Sequence, residues 1–205
     1  MITSGINFKN FNLTKKSNLV KKKIKLLLKE NNAIIQSLQK NYRDSFSLKD
    51  IKKYKTLSNF RIIGMGGSSL GAQAIYDFLK SKIKKNFFFF NNLQSKINSN
   101  KKKKHLNLVI SKSGNTIETI LNSNIYIQKR DKNIFITENK KNYLNTLAKK
   151  LKSDVIHHNN FIGGRYSVLS EVGMLPAELM GLNPKNFRQL NNLIKNQRYM
   201  NALIS

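Results

Sequence analysis

Between residues 18 and 42, apolar side chains recur at Leu19, Val20, Ile24, Leu27, Leu28, Ile34, Ile35 and Leu38, close to the helical period. The spacing predicts helix there, with Asn31 and Asn32 at a point that divides it in two. A polar stretch over 44–55 follows, and the pattern then shortens. Residues 60–63 form a β-prone run that ends in glycine, and 69–80 return to helical spacing with Leu70, Ala74, Ile75, Phe78 and Leu79 inward. Strands are predicted next at 87–90, 106–110, 133–137 and 154–156, with helices at 116–128 and 143–151 between them. Ser167 stands where it caps a helix running through Leu175, and Pro184 opens another over 185–195.

Strands alternating with helices of this length imply an α/β fold: a parallel sheet flanked by helices on both faces, a Rossmann-like sandwich preceded by N-terminal helices. Crossovers in such a sheet are right-handed, and ligands gather beyond the carboxyl ends of its strands. The pattern divides the chain into an N-terminal helical segment (1–45), the sheet domain (46–182) and a helix that leads onward (183–205).

Composition narrows the chemistry. The 205 residues are enough for one sizeable core. There is no cysteine, so disulfides and thiolate metal sites are excluded, and His105, His157 and His158 offer no i,i+4 pair to ligate a metal. No apolar run reaches 18 residues, the four phenylalanines at 87–90 are too short to span a membrane, and the N-terminus lacks a signal peptide's apolar core. A soluble cytoplasmic protein is the expectation. A formal charge of +28 attracts polyanions in general. Six of the 38 basic residues are arginines, and the lysines are scattered among Asn, Ile and Phe, residues with A- and T-rich codons. The charge therefore reads as base composition rather than a nucleic-acid face, and the four lysines at 101–104 as a solvated loop.

Three loops carry candidate chemistry. The first, GMGGSSLG at 64–71, follows a strand and opens a helix, where backbone amides face a bound anion. It is no dinucleotide fingerprint, because Ser69 holds the sixth position and Asn91 and Asn92 follow the second strand. It is no Walker loop either, since Ala72 and Gln73 stand where Lys-Ser or Lys-Thr is required. A tight structural turn explains it equally well. In the second loop, Ser111, Ser113, Asn115 and Thr116 crowd hydrogen-bonding groups around Gly114, which suits a phosphate; ordinary turn and cap chemistry is the alternative. The third, IGGRYSVLSEVGMLP at 162–176, mounts Arg165 directly after two glycines. A fixed guanidinium there suits an anionic group, the alternative being an ion pair with Glu171 or Glu178. Those two glutamates, seven residues apart, and the adjacent His157 and His158 otherwise read as structural positions.

The strings IIGMGGSSLG, VISKSGNTIET and IGGRYSVLSEVGMLP, in that order, resemble the phosphoglucose isomerase family over about residues 60–182. The last is close to the family's signature segment; the middle one is similar to sugar isomerase domains generally. The resemblance implies a sugar-isomerase-type sheet and interconversion of glucose 6-phosphate and fructose 6-phosphate through an enediol, without metal or cofactor. The alternative is a sugar isomerase domain that binds a phosphosugar without turnover. By position, the resemblance assigns Gly67, Ser68 and Ser69 to the sugar, and Ser111, Lys112, Ser113, Gly114, Asn115 and Thr116 to the phosphate. It assigns Arg165 to the enediolate, a sensible role because a fixed cation favours the charged intermediate over the neutral substrate. Partners implied are a hexose phosphate and a second subunit in a homodimer, with no nucleic acid and no membrane. Ser69 replaces a common aspartate, and Glu171 a small residue. The family's proton-transferring glutamate, ring-opening histidine and late lysine belong to a second sugar isomerase domain downstream of the signature, so the chain resembles the N-terminal half of a short-form isomerase, either a fragment or a truncated gene.

Overall fold

The structure, a computed structural model, describes residues 17–30, 32–93 and 103–204. In chain order the elements are α1 (Asn18–Lys29), α2 (Ala33–Ser37), α3 (Leu48–Ile51), β1 (Asn59–Ile63), α4 (Leu70–Leu79), β2 (Asn86–Phe90), β3 (Leu106–Ile110), α5 (Ile117–Tyr126), β4 (Lys132–Thr137), α6 (Tyr143–Lys150), β5 (Asp154–His157), α7 (Glu171–Leu179), α8 (Leu190–Lys195) and α9 (Gln197–Ile204). They group into two compact units, one over Asp44–Pro184 and one made of the flanking segments.

The larger unit is built on a five-stranded parallel sheet in the order β2-β1-β3-β4-β5. Successive side chains of a strand point to opposite faces, so each strand feeds two cores. On one face Ile63, Val109 and Phe135 pack against Tyr126 of α5 and Leu144 and Ala148 of α6. On the other, Phe60 stacks on Phe87 at 4.6 Å between ring centroids, and Tyr76 of α4 covers Phe87 and Phe89. Every residue of α7 except Glu178 is buried, and the helix packs beside α4. Each fully buried Leu, Ile, Val or Phe contributes about 1.5–3 kcal/mol, so the ten or more that line the strands account for the sheet's persistence. A charged side chain is buried with them: Arg61 of β1, whose Nη1 donates to the Tyr126 carbonyl at 2.8 Å and to Asp131 at 2.9 Å. Burial draws the Arg61 guanidinium below its ordinary pKa, while the Asp131 carboxylate acts the other way.

In the smaller unit, the Ser17 amide donates to the Ile204 carbonyl at 3.1 Å and the Leu190 amide to Leu38 at 3.4 Å, tying the two flanking segments together. The Arg188 guanidinium lies over the Tyr42 ring at 4.9 Å.

All five strands and the alternation between them match the pattern of the sequence. The N-terminal helix does divide at Glu30 and Asn32, where Asn32 caps α2. Three local expectations are corrected. The inner face of α4 is Ala72 and Ile75, while Ala74 is exposed and Leu70 and Phe78 are 53% and 87% exposed. Ala72 is small, and small residues weigh little in a hydrophobic pattern. The cap of α7 is Ser170, whose hydroxyl accepts from the Val172 amide, because Ser167 lies inside a 3₁₀ turn over Gly164–Leu169. Pro184 opens a short 3₁₀ turn (Pro184–Asn186), and the helix begins afresh at Leu190. Of the lysine run, Lys103 and Lys104 are exposed, and residues 101–102 lie outside the described residues. So does the segment expected to lack a signal core, up to residue 16.

Candidate active-site cleft at the sheet's switch point

In this strand order the chain winds one way from β1 to β2 and the other way from β3 through β5. The crevice opens where the direction reverses, between the carboxyl ends of β1 and β3. The first two loops of interest leave from those two strand ends. They stand close at their roots: a methyl group at Gly64 would come within 2.8 Å of the Ile110 carbonyl oxygen and 3.0 Å of Ser68 Cβ.

The loop after β3 is held from behind. Gly114 has φ of +69°, a conformation costly to any residue with a Cβ, and an added Cβ would also strike the Asn142 side chain at 2.2 Å. Asn115 Oδ1 accepts from the Tyr143 amide at 2.9 Å, and the Gly114 carbonyl accepts from the Leu144 amide at 3.1 Å, so the start of α6 braces the turn. Ser111 is buried, its hydroxyl accepting from the Gly114 amide and paired with Thr116 Oγ1 at 2.9 Å. The exposed Ser113 accepts from the Asn115 amide at 3.2 Å. Lys112 Nζ lies 3.5 Å from Glu138 Oε1, and Lys140 pairs with the same carboxylate. Burial pushes the Glu138 carboxyl up, but Lys140 and Lys112 outweigh it, so the group is held below its ordinary value and stays ionised.

After these internal bonds, what the loop can offer a ligand is mainly backbone. α5 starts at Thr116 with no side-chain cap, and the amides of Ile117 and Glu118 have no acceptor among the described residues. α4 starts at Ser69 with no side-chain cap either. By contrast α1, α2, α3, α6 and α7 are all capped by a Ser or Asn side chain. α8, in the smaller unit, also lacks a side-chain cap, but the bare starts of α4 and α5 are the ones at the ends of β1 and β3, where amides and helix dipoles favour an anion.

In the first loop Ser68 is half-buried and its hydroxyl has no partner among the described residues. Ser69 is fully buried, with its hydroxyl 3.4 Å from the Gly66 carbonyl. Gly67 meets the arginine segment directly: a Cβ on it would lie 2.2 Å from the Gly164 carbonyl oxygen and 2.4 Å from its carbon. Ser167 fastens the same contact, donating within hydrogen-bond reach of the Gly164 carbonyl (2.8 Å) and the Gly67 carbonyl (3.2 Å). The segment after β5 therefore crosses from the far edge of the sheet to the loop after β1. Arg165 on this segment is exposed, and its guanidinium has no ion-pair partner among the described residues.

The structure thus joins the first and third loops by direct contact and the first and second at their roots. Among the described residues no hydrogen bond links Arg165 to residues 111–116. Glu178 pairs with Lys55 at 2.6 Å, and Glu171 with His158 at 2.6 Å, so neither takes Arg165. The role of His158 escaped the sequence reading, because a pair 13 residues apart leaves no local pattern. The bracing role of Asn142 was equally silent, although an Asn before a helical run is a recognisable cap. Among the described residues no group of three His, Asp or Glu is arranged to hold a metal ion, and no helix is long and apolar enough to cross a membrane.

The sheet and its switch-point loops define a sugar-isomerase-type α/β domain. Its backbone is similar to that of a hypothetical protein of Thermus thermophilus (TM-score 0.69, 20% identity, 90% of this chain and 50% of that one). It is also similar to a tagatose-6-phosphate ketose/aldose isomerase of Escherichia coli (TM-score 0.56, 17% identity, 78% of this chain and 50% of that one). Residues 28–201 match the phosphoglucose isomerase family, and the chain belongs to it. Among curated relatives, the glucose-6-phosphate isomerase of Methanocaldococcus jannaschii is 34% identical over 176 residues, 76% of this chain and 43% of the relative. That of Mycoplasma genitalium is 34% identical over 169 residues, 72% of this chain and 39% of the relative. The chain spans about two fifths of the length of these relatives.

Proposed function

We propose that this chain is the phosphosugar-binding part of a glucose-6-phosphate isomerase, interconverting glucose 6-phosphate and fructose 6-phosphate in glycolysis and gluconeogenesis. Residues 46–182 are the binding domain, and 183–205 lead toward a second domain that carries the general base. The observation that supports this most is the packing of the arginine segment on the β1 loop at the switch point, with two uncapped helix starts on either side. In this reading residues 111–116, with the open amides of Ile117 and Glu118 and the Thr116 hydroxyl, take the phosphate, and Gly67, Ser68 and Ser69 border the sugar. Arg165 then faces C1 and C2, where negative charge grows as the proton leaves. A guanidinium already in place stabilises that charge more than the neutral sugar, which is what lowers the barrier. The enzyme works as a cytoplasmic homodimer.

A thermal-shift titration tests the reading. At millimolar 6-phosphogluconate the chain should melt higher, since a ligand that binds the folded state alone stabilises it by mass action. No shift would remove the phosphate cradle. A second reading, a phosphosugar binder without turnover, draws on the buried carboxylates: Asp131 is committed to Arg61, Glu138 to lysines and Glu171 to His158, which leaves none of the three as a base. Exchange of the C2 proton of glucose 6-phosphate with solvent separates the two. The complete polypeptide should catalyse it under the first reading and fail under the second.

A further inference from the structure

The segment that carries Arg165 has little core of its own. Phe161 and Tyr166 are 82% and 51% exposed, Arg165 is exposed, and Ile162 alone of residues 161–166 is fully buried. Its shape is imposed from its base. Glu171, at the first position of α7, turns its carboxylate back to the start of the segment. There Oε1 meets His158 Nδ1 at 2.6 Å and accepts from the Asn159 amide at 2.7 Å. The other ring nitrogen of His158 is 3.0 Å from the Ile162 carbonyl. A carbonyl only accepts, so the Nε2 facing Ile162 carries a proton, and Nδ1 is the nitrogen that meets Glu171. The side chains of His158 and Glu171 are only 2% and 1% exposed, so the pair is shut away from water. Burial pushes the Glu171 carboxyl up, but the His158 and Asn159 bonds outweigh it and hold it ionised.

The chain of bonds runs from α7 through the His158 ring to Ile162, which directly precedes Gly163, Gly164 and Arg165. The far side is pinned by Ser167 on the Gly67 carbonyl. Arg165 sits between the two pins. Resting on the isomerase reading above, we propose that His158 and Glu171 are positioning residues that form a latch, setting where the Arg165 guanidinium meets negative charge on C1 and C2 of the sugar.

Two ligands read this out. 6-Phosphogluconate carries a carboxylate at C1, and sorbitol 6-phosphate has the same chain and phosphate with no charge there. The ratio of their affinities, by calorimetry on the same chain, measures the guanidinium's placement apart from phosphate binding. Arg165→Gln calibrates the ratio and should lower it about tenfold, the scale of one charge-assisted hydrogen bond. The double variant His158→Gln, Glu171→Gln leaves no lone buried charge, and it should lower the ratio several-fold while sorbitol 6-phosphate binds as before. Glu171→Asp should restore part of it. Equal loss for both ligands would mean a purely structural pair, and an unchanged ratio in a folded double variant would overturn the latch. If instead Arg165→Gln leaves the ratio untouched, the isomerase reading of Arg165 fails, and the latch falls with it.

Discussion

Replacing Gly67 by alanine tests the junction between the β1 loop and the arginine segment. The new Cβ would lie 2.2 Å from the Gly164 carbonyl oxygen, 2.4 Å from its carbon and 2.8 Å from its Cα. Those atoms are backbone, so no side chain can swing away. To reach an ordinary contact the segment must withdraw by about 1 Å, and overpacking of this kind typically costs about 2 kcal/mol. In a chain of this size that lowers the melting temperature by about 4–8 °C. The Ser167 bond to the Gly67 carbonyl, already 3.2 Å, should break as well. Alanine at the neighbouring glycines should do far less. A Cβ on Gly164 would sit 3.7 Å from Gly67 Cα, and one on Gly163 would sit 3.9 Å from Tyr166 Cδ2, both ordinary contacts. Their reduced unfolded-state freedom even favours a small gain, about 0.5 kcal/mol. Differential scanning fluorimetry of the three variants, with and without 6-phosphogluconate, provides the readout. If Gly67→Ala melts within about 2 °C of the parent, or Gly164→Ala falls as far as Gly67→Ala, the loops are not in contact as described.

Two further outcomes follow from the site. Thr116→Val removes the hydroxyl paired with Ser111 at 2.9 Å and, under the proposed reading, one donor to the phosphate; phosphosugar affinity should fall about fivefold, the scale of a single hydrogen bond, with the fold retained, and unchanged affinity would take Thr116 out of the proposed cradle. Glu171 ionises in the folded protein below its ordinary value of 4.5, so its contribution is complete above that pH and drains away as pH falls through the lower, folded value. Glu171→Gln should therefore cost about 3 kcal/mol at pH 7 and progressively less toward pH 3, measured by urea denaturation; a gap that stays constant would mean the carboxylate is not held ionised.

The strands were legible because each is a short apolar run bounded by glycine or polar residues. Both faces of β3 and β4 are buried, so their runs are continuous rather than alternating. The turn at 111–116 was legible for the same reason, as glycine and short hydroxyl side chains mark a strand end. What stayed hidden was long-range. That Gly67 packs directly on Gly164 depends on a contact 97 residues away in the chain, which no local pattern encodes. Glu171 looked like an ordinary helix residue because its partner, His158, lies across an irregular segment. The polar stretch at 44–55 hides Ile51 and Tyr54, two apolar anchors too sparse to set a period, yet both are almost wholly buried.

The bare starts of α4 and α5 bear on more than recognition. A serine or asparagine cap is worth about 1 kcal/mol to a helix, and five other helices here have one. With these two ends uncapped, each helix forgoes that contribution, and a dianion bound as proposed would supply it. Under the proposed reading, occupancy and rigidity are then coupled: a phosphate held there would complete the architecture as well as being held by it.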